Sequence, residues 1–516
     1  MCHFPMIQAN ILMRLTRIVD HHAEEHLYYI ITQPLFGYLV SCFVHNVVTA
    51  MTCELPLDST VTTKCSGSSP WAAFVQSLKH PCYMFKHQHF STVLAIMRPS
   101  PLWGLWGNNL HTKRDVLRTP DDSPLFLDWY QYTGPGYDPF LKEAEELKRP
   151  LVLVIHGLMG HSEESYIRQT CAEICIKDPR HPKVVAMNYH GAFNHSLGLS
   201  GKGGYSLYDT VDLSILINHL RQYHHGPLYA IGFSMGAAKL ANYLGRAGNV
   251  SNLDAACCVS CPWDFTENNL AVHKPSLIER GYHFVLTSAI KTWVAAHYFE
   301  LKLNDYLVKN APVFSPKLRE RLWWWLSCWD MKSFDETFTI KWLNYENITD
   351  YYATASPCQV LHKVETPLLI INSRNDPLIP CNVNPDQEDV DLNPNLCAIE
   401  TVYGGHIGFW TPFNGCWSTQ SIIKFFAQPH LSGLERRAER ADKKARRRDS
   451  LTLATKLRDT SKTNLTDYTQ LLHVHELSDD DDDDAESDKT EKQKIELFKK
   501  SPSPKKRTKK KVASDF

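Results

Sequence analysis

The sequence predicts an α/β domain with a mostly parallel central sheet flanked by helices. Three observations lead there. Between residues 151 and 260 short apolar runs alternate with helical stretches, the βαβ alternation that builds parallel sheets. One run passes through a glycine-bracketed serine directly into a small-residue helix, LYAIGFSMGAAKLANYL at 228–244. The chain has 516 residues and a formal net charge of -1, enough length for one large core with insertions.

Each element follows from its residues. LVLVI at 151–155 is a buried strand ending in His156-Gly157-Leu158-Met159-Gly160, a glycine-containing loop. DTVDLSILINHLR at 209–221 carries its aliphatics at helical spacing. In the 228–244 stretch Gly232 and Gly236 lack side chains where strand and helix must cross closely, so Ser234 can occupy a strained turn at the sheet's edge. A strand at 255–260 follows, after which the alternation stops. From 266 to 364 the chain is rich in aromatics and reads as helices, among them 282–303 and RLWWWLSCW at 321–329. This is a helical cap inserted between strand 6 and the acid-bearing strand, and its apolar content suits a lipophilic acyl group. PLLII at 367–371 resumes the sheet and leads into the turn NSRNDP, which carries Asp376. A strand-like stretch at 397–402 then precedes Gly404-Gly405-His406.

A serine hydroxyl is a poor nucleophile at neutral pH and needs a histidine base and an orienting acid. Ser234 as nucleophile, His406 as base and Asp376 as acid supply all three, in the order Ser, Asp, His. The amide of Met235 at the helix start, with that of Leu158 or Met159, would face a developing oxyanion. Competing readings are Ser234 as a helix cap, Asp376 as a turn former and His406 as a packed loop residue. Asp264 in CPWDF, just past the 255–260 strand, is a rival acid. No metal or organic cofactor is expected, because water can release the acyl group from the serine, and Cys257, Cys258 and Cys261 lack the second ligand pair that zinc would need.

The residues just quoted resemble the YheT-like and embryogenesis-associated branch of the α/β-hydrolase superfamily, which includes animal acylglycerol and phospholipid lipases. The resemblance spans about 98–426. It rests on RPSPLWGLWGNNLHT at 98–112, Leu127-Asp128-Trp129, HGLMG at 156–160, GFSMGAAKLANYLG at 232–245, MKSFDETFT at 331–339, YYATAS, NDP and GGHIGF. One departure is Asn188-Tyr189-His190-Gly191, where the family usually has Arg-Gly. The resemblance implies an α/β-hydrolase fold and cleavage of lipid esters through an acyl-serine. It leaves two other readings open: a catalytically silent membrane-associated scaffold, and an acyltransferase using the same triad.

The domain plan is an N-terminal region at 1–94, a hydrolase domain at 95–428 with its cap at about 266–364, and a charged tail at 429–516. Residues 27–53 contain no Asp, Glu, Lys or Arg, a length that spans a bilayer. Gln33, Pro34, His45 and Asn46 also fit a buried or interfacial helix. The resemblance favours a single membrane anchor, in a protein otherwise cytoplasmic. Fifteen cysteines without regular spacing favour reduced thiols.

The tail holds the helix candidate LERRAERADKKARRRD at 434–449, an aspartate run at 479–484 beside Ser478, and the basic cluster PKKRTKKK at 504–511. Such blocks bury too little apolar area to fold alone. The basic cluster reads as a nuclear import signal, an anionic lipid contact or a solvated tail. Nucleic acid is not expected as the main ligand, since no basic aromatic-interleaved fold accompanies it.

Overall fold

Among the described residues the strands of the main sheet are β1 (Val61–Cys65), β2 (Leu110–Arg118), β3 (Pro124–Tyr132), β4 (Leu151–Ile155), β5 (Lys183–Asn188), β6 (Leu228–Phe233), β7 (Ala255–Val259), β8 (Leu368–Ser373) and β9 (Leu396–Thr401). In this computed structural model they form one sheet, ordered β1-β9-β8-β7-β6-β4-β5-β3-β2. The structure describes residues 61–65, 71–78, 87–97, 109–120, 122–135, 149–192, 206–207, 209–266, 277–297, 328–411 and 415–432. The chain divides into units at 1–440 and 441–516, and all described residues fall in the first.

From β5 through β4, β6, β7 and β8 to β9 every pairing is parallel. The strands β4, β6, β7 and β8 are buried along their whole length. Their near-continuous apolar runs suit strands covered on both faces. β2 pairs antiparallel with β3, and β3 with β5; β2 is the largely exposed edge. Counted from β2, the strand before the cap is the sixth, as expected, because β1 is an additional edge strand paired antiparallel to β9.

Among the described residues the helices used below are α1 (Ala72–Ser77), α2 (Gln88–Met97), α3 (Ser165–Lys177), α4 (Val211–Tyr223), α5 (Met235–Ala247), α6 (Leu277–Ala296), α7 (Ile348–Ala355) and α8 (Trp417–Phe426). Aromatic packing joins the N-terminal elements to α8: Trp71 meets Phe425 with ring centroids 5.2 Å apart, and its indole N–H donates to the Pro394 carbonyl at 3.1 Å. On the same side Tyr229 of β6 stacks on Phe426 at 4.4 Å. A domain start at residue 95 therefore falls inside α2, and β1, α1 and most of α2 belong to the fold upstream of it. The reason is physical: VTTKC in β1 has no apolar run to announce it and gains its order by pairing with β9.

The described residues of the insertion after β7 fall into two parts. The helix α6 and a helical segment at 331–342, broken by a π turn at Asp335–Thr339, share an apolar cluster of Ile290, Trp293, Val294, Phe334 and Phe338. The helix α7 and the turns behind it return to the sheet layer, where Asn242 of α5 donates to the Ala355 carbonyl at 2.8 Å. A Cβ on Gly245 would sit 2.5 Å from the Val360 carbonyl oxygen, so that packing is close.

Among the described residues no helix is long and apolar enough to cross a membrane. The segment 27–53, residues 267–276 and 298–327 of the insertion, and the tail from 433 onward lie outside the described residues. Among those described, no group of three or more His, Cys, Asp or Glu gathers as a metal site. Cys257, Cys258 and Cys261 are buried free thiols, and burial pushes Cys257 and Cys261 well up, keeping them protonated.

Candidate active site

The β6 strand ends at Phe233 and α5 begins at Met235, which leaves Ser234 alone to turn the chain, at φ 52° and ψ -120°. A non-glycine residue with positive φ is strained, and this one is held from both sides. Its N–H donates to Val259 of β7 at 2.9 Å, and its carbonyl accepts from Ala237 and Ala238 of α5 at 3.0 and 3.1 Å. The flanking glycines permit the approach. A Cβ on Gly232 would lie 2.6 Å from the Ala237 Cα; one on Gly236 would collide with the His156 carbonyl oxygen.

The expected partners converge on this serine. His406 Nε2 lies 2.9 Å from Ser234 Oγ, and His406 Nδ1 lies 2.8 Å from Asp376 Oδ2. With Nδ1–H donating to the carboxylate, Nε2 is left to accept the serine proton. The other Asp376 oxygen accepts from the amides of Leu378 and Ile379 at 2.8 and 3.0 Å, which fixes the carboxylate. The Asp376 side chain is fully enclosed and that of His406 nearly so, while Ser234 is half-buried. The rival acid, Asp264, instead accepts from the N–H and hydroxyl of Thr266 and from Ser356; the structure does not bring it into this chain of hydrogen bonds.

The loop after β4 lies against the serine. A Cβ on Gly157 would be 3.2 Å from Ser234 Cβ, and the Gly157 N–H donates to the Tyr166 hydroxyl at 2.9 Å. Leu158 and Met159 occupy the turn closed by Gly160 N–H donating to the Gly157 carbonyl at 3.2 Å, with Met159 at φ 54°. Met235 opens α5, so its amide is one of those with no intrahelical acceptor. The adjacent imidazole of His156 is fully buried, and burial pulls it down to about 3. It is therefore neutral, with Nδ1–H donating to the Gly157 carbonyl at 2.8 Å.

Residues not named from the sequence hold these groups in place. Thr92 Oγ1 of α2 accepts the His406 N–H at 2.9 Å, Ser260 Oγ accepts that of Ile407 at 3.1 Å, and Asn375 Oδ1 accepts that of Gly405 at 2.9 Å. Asn375 adjoins Asp376 and could have been read from NSRNDP; Thr92 and Ser260 could not. Leu127-Asp128-Trp129 also gains a role. Arg114 grips Asp128 with two hydrogen bonds, at 2.6 and 2.8 Å, and Ser162 donates to the same carboxylate. Burial alone would raise Asp128, but the Arg114 and Ser162 hydrogen bonds outweigh it and hold the carboxyl below its ordinary value. Ser162 N–H in turn donates to Asn188 at 2.9 Å, so this ion pair fixes the chain just past Gly160.

His190 Nδ1 pairs with Asp212 at 2.8 Å. Beneath it, Lys239 of α5 points its ammonium at the Tyr189 ring, 3.9 Å from the centroid. Burial pulls Lys239 down to about 8, against the opposing pull of Asp209 and Asp212. Above, Leu158 and Met159 pack on the cap's apolar cluster, and Trp293 of α6 donates its indole N–H to the Gly191 carbonyl at 2.8 Å.

No family model matches the chain. Curated relatives do. It is 32% identical over 301 residues to the medium-chain fatty acid ethyl ester synthase/esterase 2 of Saccharomyces cerevisiae, covering 56% of this chain and 65% of that one, just under two thirds of its length. It is 31% identical over 325 residues to phospholipase ABHD3 of Homo sapiens, covering 61% of this chain and 71% of the relative. To the putative esterase YheT of Escherichia coli it is 28% identical over 299 residues, 57% of this chain and 77% of that one. The embryogenesis-associated protein EMB8 of Picea glauca matches at 25% over 352 residues. With the strand order, the Ser234 turn and the match to ABHD3 together, this chain belongs to the α/β-hydrolase superfamily, in the branch of esterases and lipases that holds ABHD3, YheT and EMB8.

Proposed function

We propose that the chain is a serine hydrolase that cleaves carboxylic ester bonds in lipids, either acylglycerols or phospholipids, through Ser234, His406 and Asp376. The observation that carries this reading is the continuous hydrogen-bonded line from the Ser234 hydroxyl through the His406 ring to the Asp376 carboxylate. As Ser234 Oγ bonds to the acyl carbon, His406 Nε2 takes its proton, and Asp376 stabilises the imidazolium. The amides of Met235 and of Leu158 or Met159 stabilise the tetrahedral oxyanion. Collapse breaks the bond to the alcohol, which leaves with the proton from His406. Water, activated by the same ring, then releases the acid and restores the serine.

Two further observations support a lipid substrate: the cap's apolar cluster against Leu158 and Met159, and relatives named as a phospholipase and a monoacylglycerol lipase. The charge-free segment 27–53 supports a single N-terminal membrane anchor. A second reading is transfer of the acyl group to an alcohol in place of water, favoured by the yeast relative's name as both synthase and esterase. It shares every step up to the acyl-serine and differs only in how well the cap excludes water.

The test is hydrolysis of a medium-chain p-nitrophenyl ester and of vesicle phospholipid by purified wild type and Ser234→Ala. The substitution should lower kcat by about 10⁴ to 10⁶ with the thermal midpoint retained. A Ser234→Ala protein at the wild-type rate removes the reading, whereas no hydrolysis by either folded protein makes a silent scaffold the better one.

A further inference from the structure

The site uses α2 only through Thr92, although the helix packs on the whole histidine loop. Its contacts concentrate on one place. The Thr92 hydroxyl donates to the Gln88 carbonyl within α2 at 2.8 Å and accepts the His406 N–H at 2.9 Å. Thr92 is fully buried, so the His406 amide has no water as a substitute partner. The glycines around the histidine are shaped to the same helix. A Cβ on Gly405 would lie 2.6 Å from the Gln88 carbonyl oxygen and 2.7 Å from Thr92 Oγ1, and one on Gly408 would lie 2.5 Å from the Ser91 carbonyl oxygen. The GGHIG loop is thus seated on α2 with no room for side chains.

The same N-terminal turn of α2 also meets the cap. His89 stacks on Tyr282 of α6 with ring centroids 5.7 Å apart, and its Nδ1 pairs with the Tyr282 hydroxyl at 3.3 Å. Gln88, whose carbonyl receives the Thr92 hydroxyl, also bonds to the His89 ring at 3.2 Å. Burial, and then the Asp376 carboxylate, push the Tyr282 phenol upward, so its O–H stays in place throughout the neutral range. One helical turn therefore separates a contact with the cap from a contact with the His406 backbone.

We infer that α2 is a positioning element for the reaction: Thr92 sets the height of the His406 loop, and the Tyr282–His89 pair ties that setting to the seating of the cap helix α6. The inference rests on the proposed Ser234 mechanism and adds a coupling between the cap and the histidine. Displacing a base relative to its nucleophile by a fraction of an ångström slows chemistry without changing substrate binding, so the signature is a fall in kcat at constant KM.

The experiment is a double-mutant cycle in the full chain, read with a medium-chain p-nitrophenyl ester. Thr92→Val removes the acceptor at nearly constant shape, and Tyr282→Phe removes the phenol while keeping the ring. Thr92→Val should lower kcat about five- to tenfold, the scale of one lost buried hydrogen bond, with KM within about twofold and Thr92→Ser restoring the rate. Tyr282→Phe should lower kcat about two- to fivefold alone and have no further effect beside Thr92→Val, because coupled residues are not additive. An unchanged kcat in Thr92→Val, a loss in KM alone, or additive effects of the two substitutions overturns the inference. If Thr92→Val fails to fold, Tyr282→Phe at the wild-type kcat does so instead. Ser234→Ala in the same assay separates the two levels: a Ser234-dependent rate untouched by these variants removes the α2 coupling alone, whereas a rate independent of Ser234 removes the hydrolase reading and the coupling with it.

Discussion

The nucleophile turn and the histidine loop deliver side chains to one point, 2.9 Å apart, by different means. The turn is assembled mainly from its own sequence: β6 feeds it, α5 leaves it, and Gly232 and Gly236 let the two cross. The loop is held from outside, by Thr92 314 positions away, Ser260 147 away and Asn375 30 away. A strained residue needs surroundings that over-determine it; Ser234 draws them chiefly from its neighbours, whereas His406 draws them from three distant segments. The turn should therefore fail by unfolding, and the loop by losing alignment while the fold persists.

The largest effect expected below removal of the serine itself is at Asp376. Asp376→Asn keeps the shape but replaces the acceptor of the His406 Nδ1–H bond, favouring the wrong tautomer. It should lower kcat by about 10³ to 10⁴ with the thermal midpoint little changed. A loss under tenfold would mean that another acid, Asp264 being the candidate named from sequence, orients the ring.

A smaller pair of effects separates the two regions directly. Gly236→Ala drives a methyl group into the β4 backbone at His156 and Ile155 and should destabilise the domain by about 1–3 kcal/mol, seen as a lower urea midpoint. Gly405→Ala strains a residue at φ 56° and presses on Gln88 and Thr92; it should cost about 1–2 kcal/mol yet depress kcat more than the midpoint implies. Equal ratios of activity loss to stability loss in the two variants would erase the distinction.

The same contrast explains what could be read in advance. The strands β4, β6, β7 and β8 were visible because strands buried on both faces need continuous apolar runs, and their ends fell within a residue or two of the expected positions. The helix α4 was expected over 209–221 and spans Val211–Tyr223. The residues Ser234, Asp376 and His406 were named because each follows a legible strand in the order that the chemistry requires. β1 escaped because its residues are ordered by pairing with β9 and carry no pattern of their own. Thr92 and Ser260 escaped because a hydroxyl that accepts one distant amide leaves no spacing behind. Asp128 carries a signal only as part of a shared motif, because its bonds from Arg114 and Ser162 join three segments in space. The cap's return to the sheet layer at α7 was likewise invisible, since aromatic helices look alike whether they cover a site or pack on α5.

Covalent labelling of the purified full chain with a fluorophosphonate, followed by peptide mapping, tests the Ser234–His406–Asp376 line most directly, since only an activated serine is phosphonylated at an appreciable rate. One modified residue is expected, Ser234, with labelling abolished in Ser234→Ala and slowed by orders of magnitude in a His406→Ala protein of unchanged fold. Labelling that maps to another serine, or that proceeds undiminished without His406, would contradict the triad.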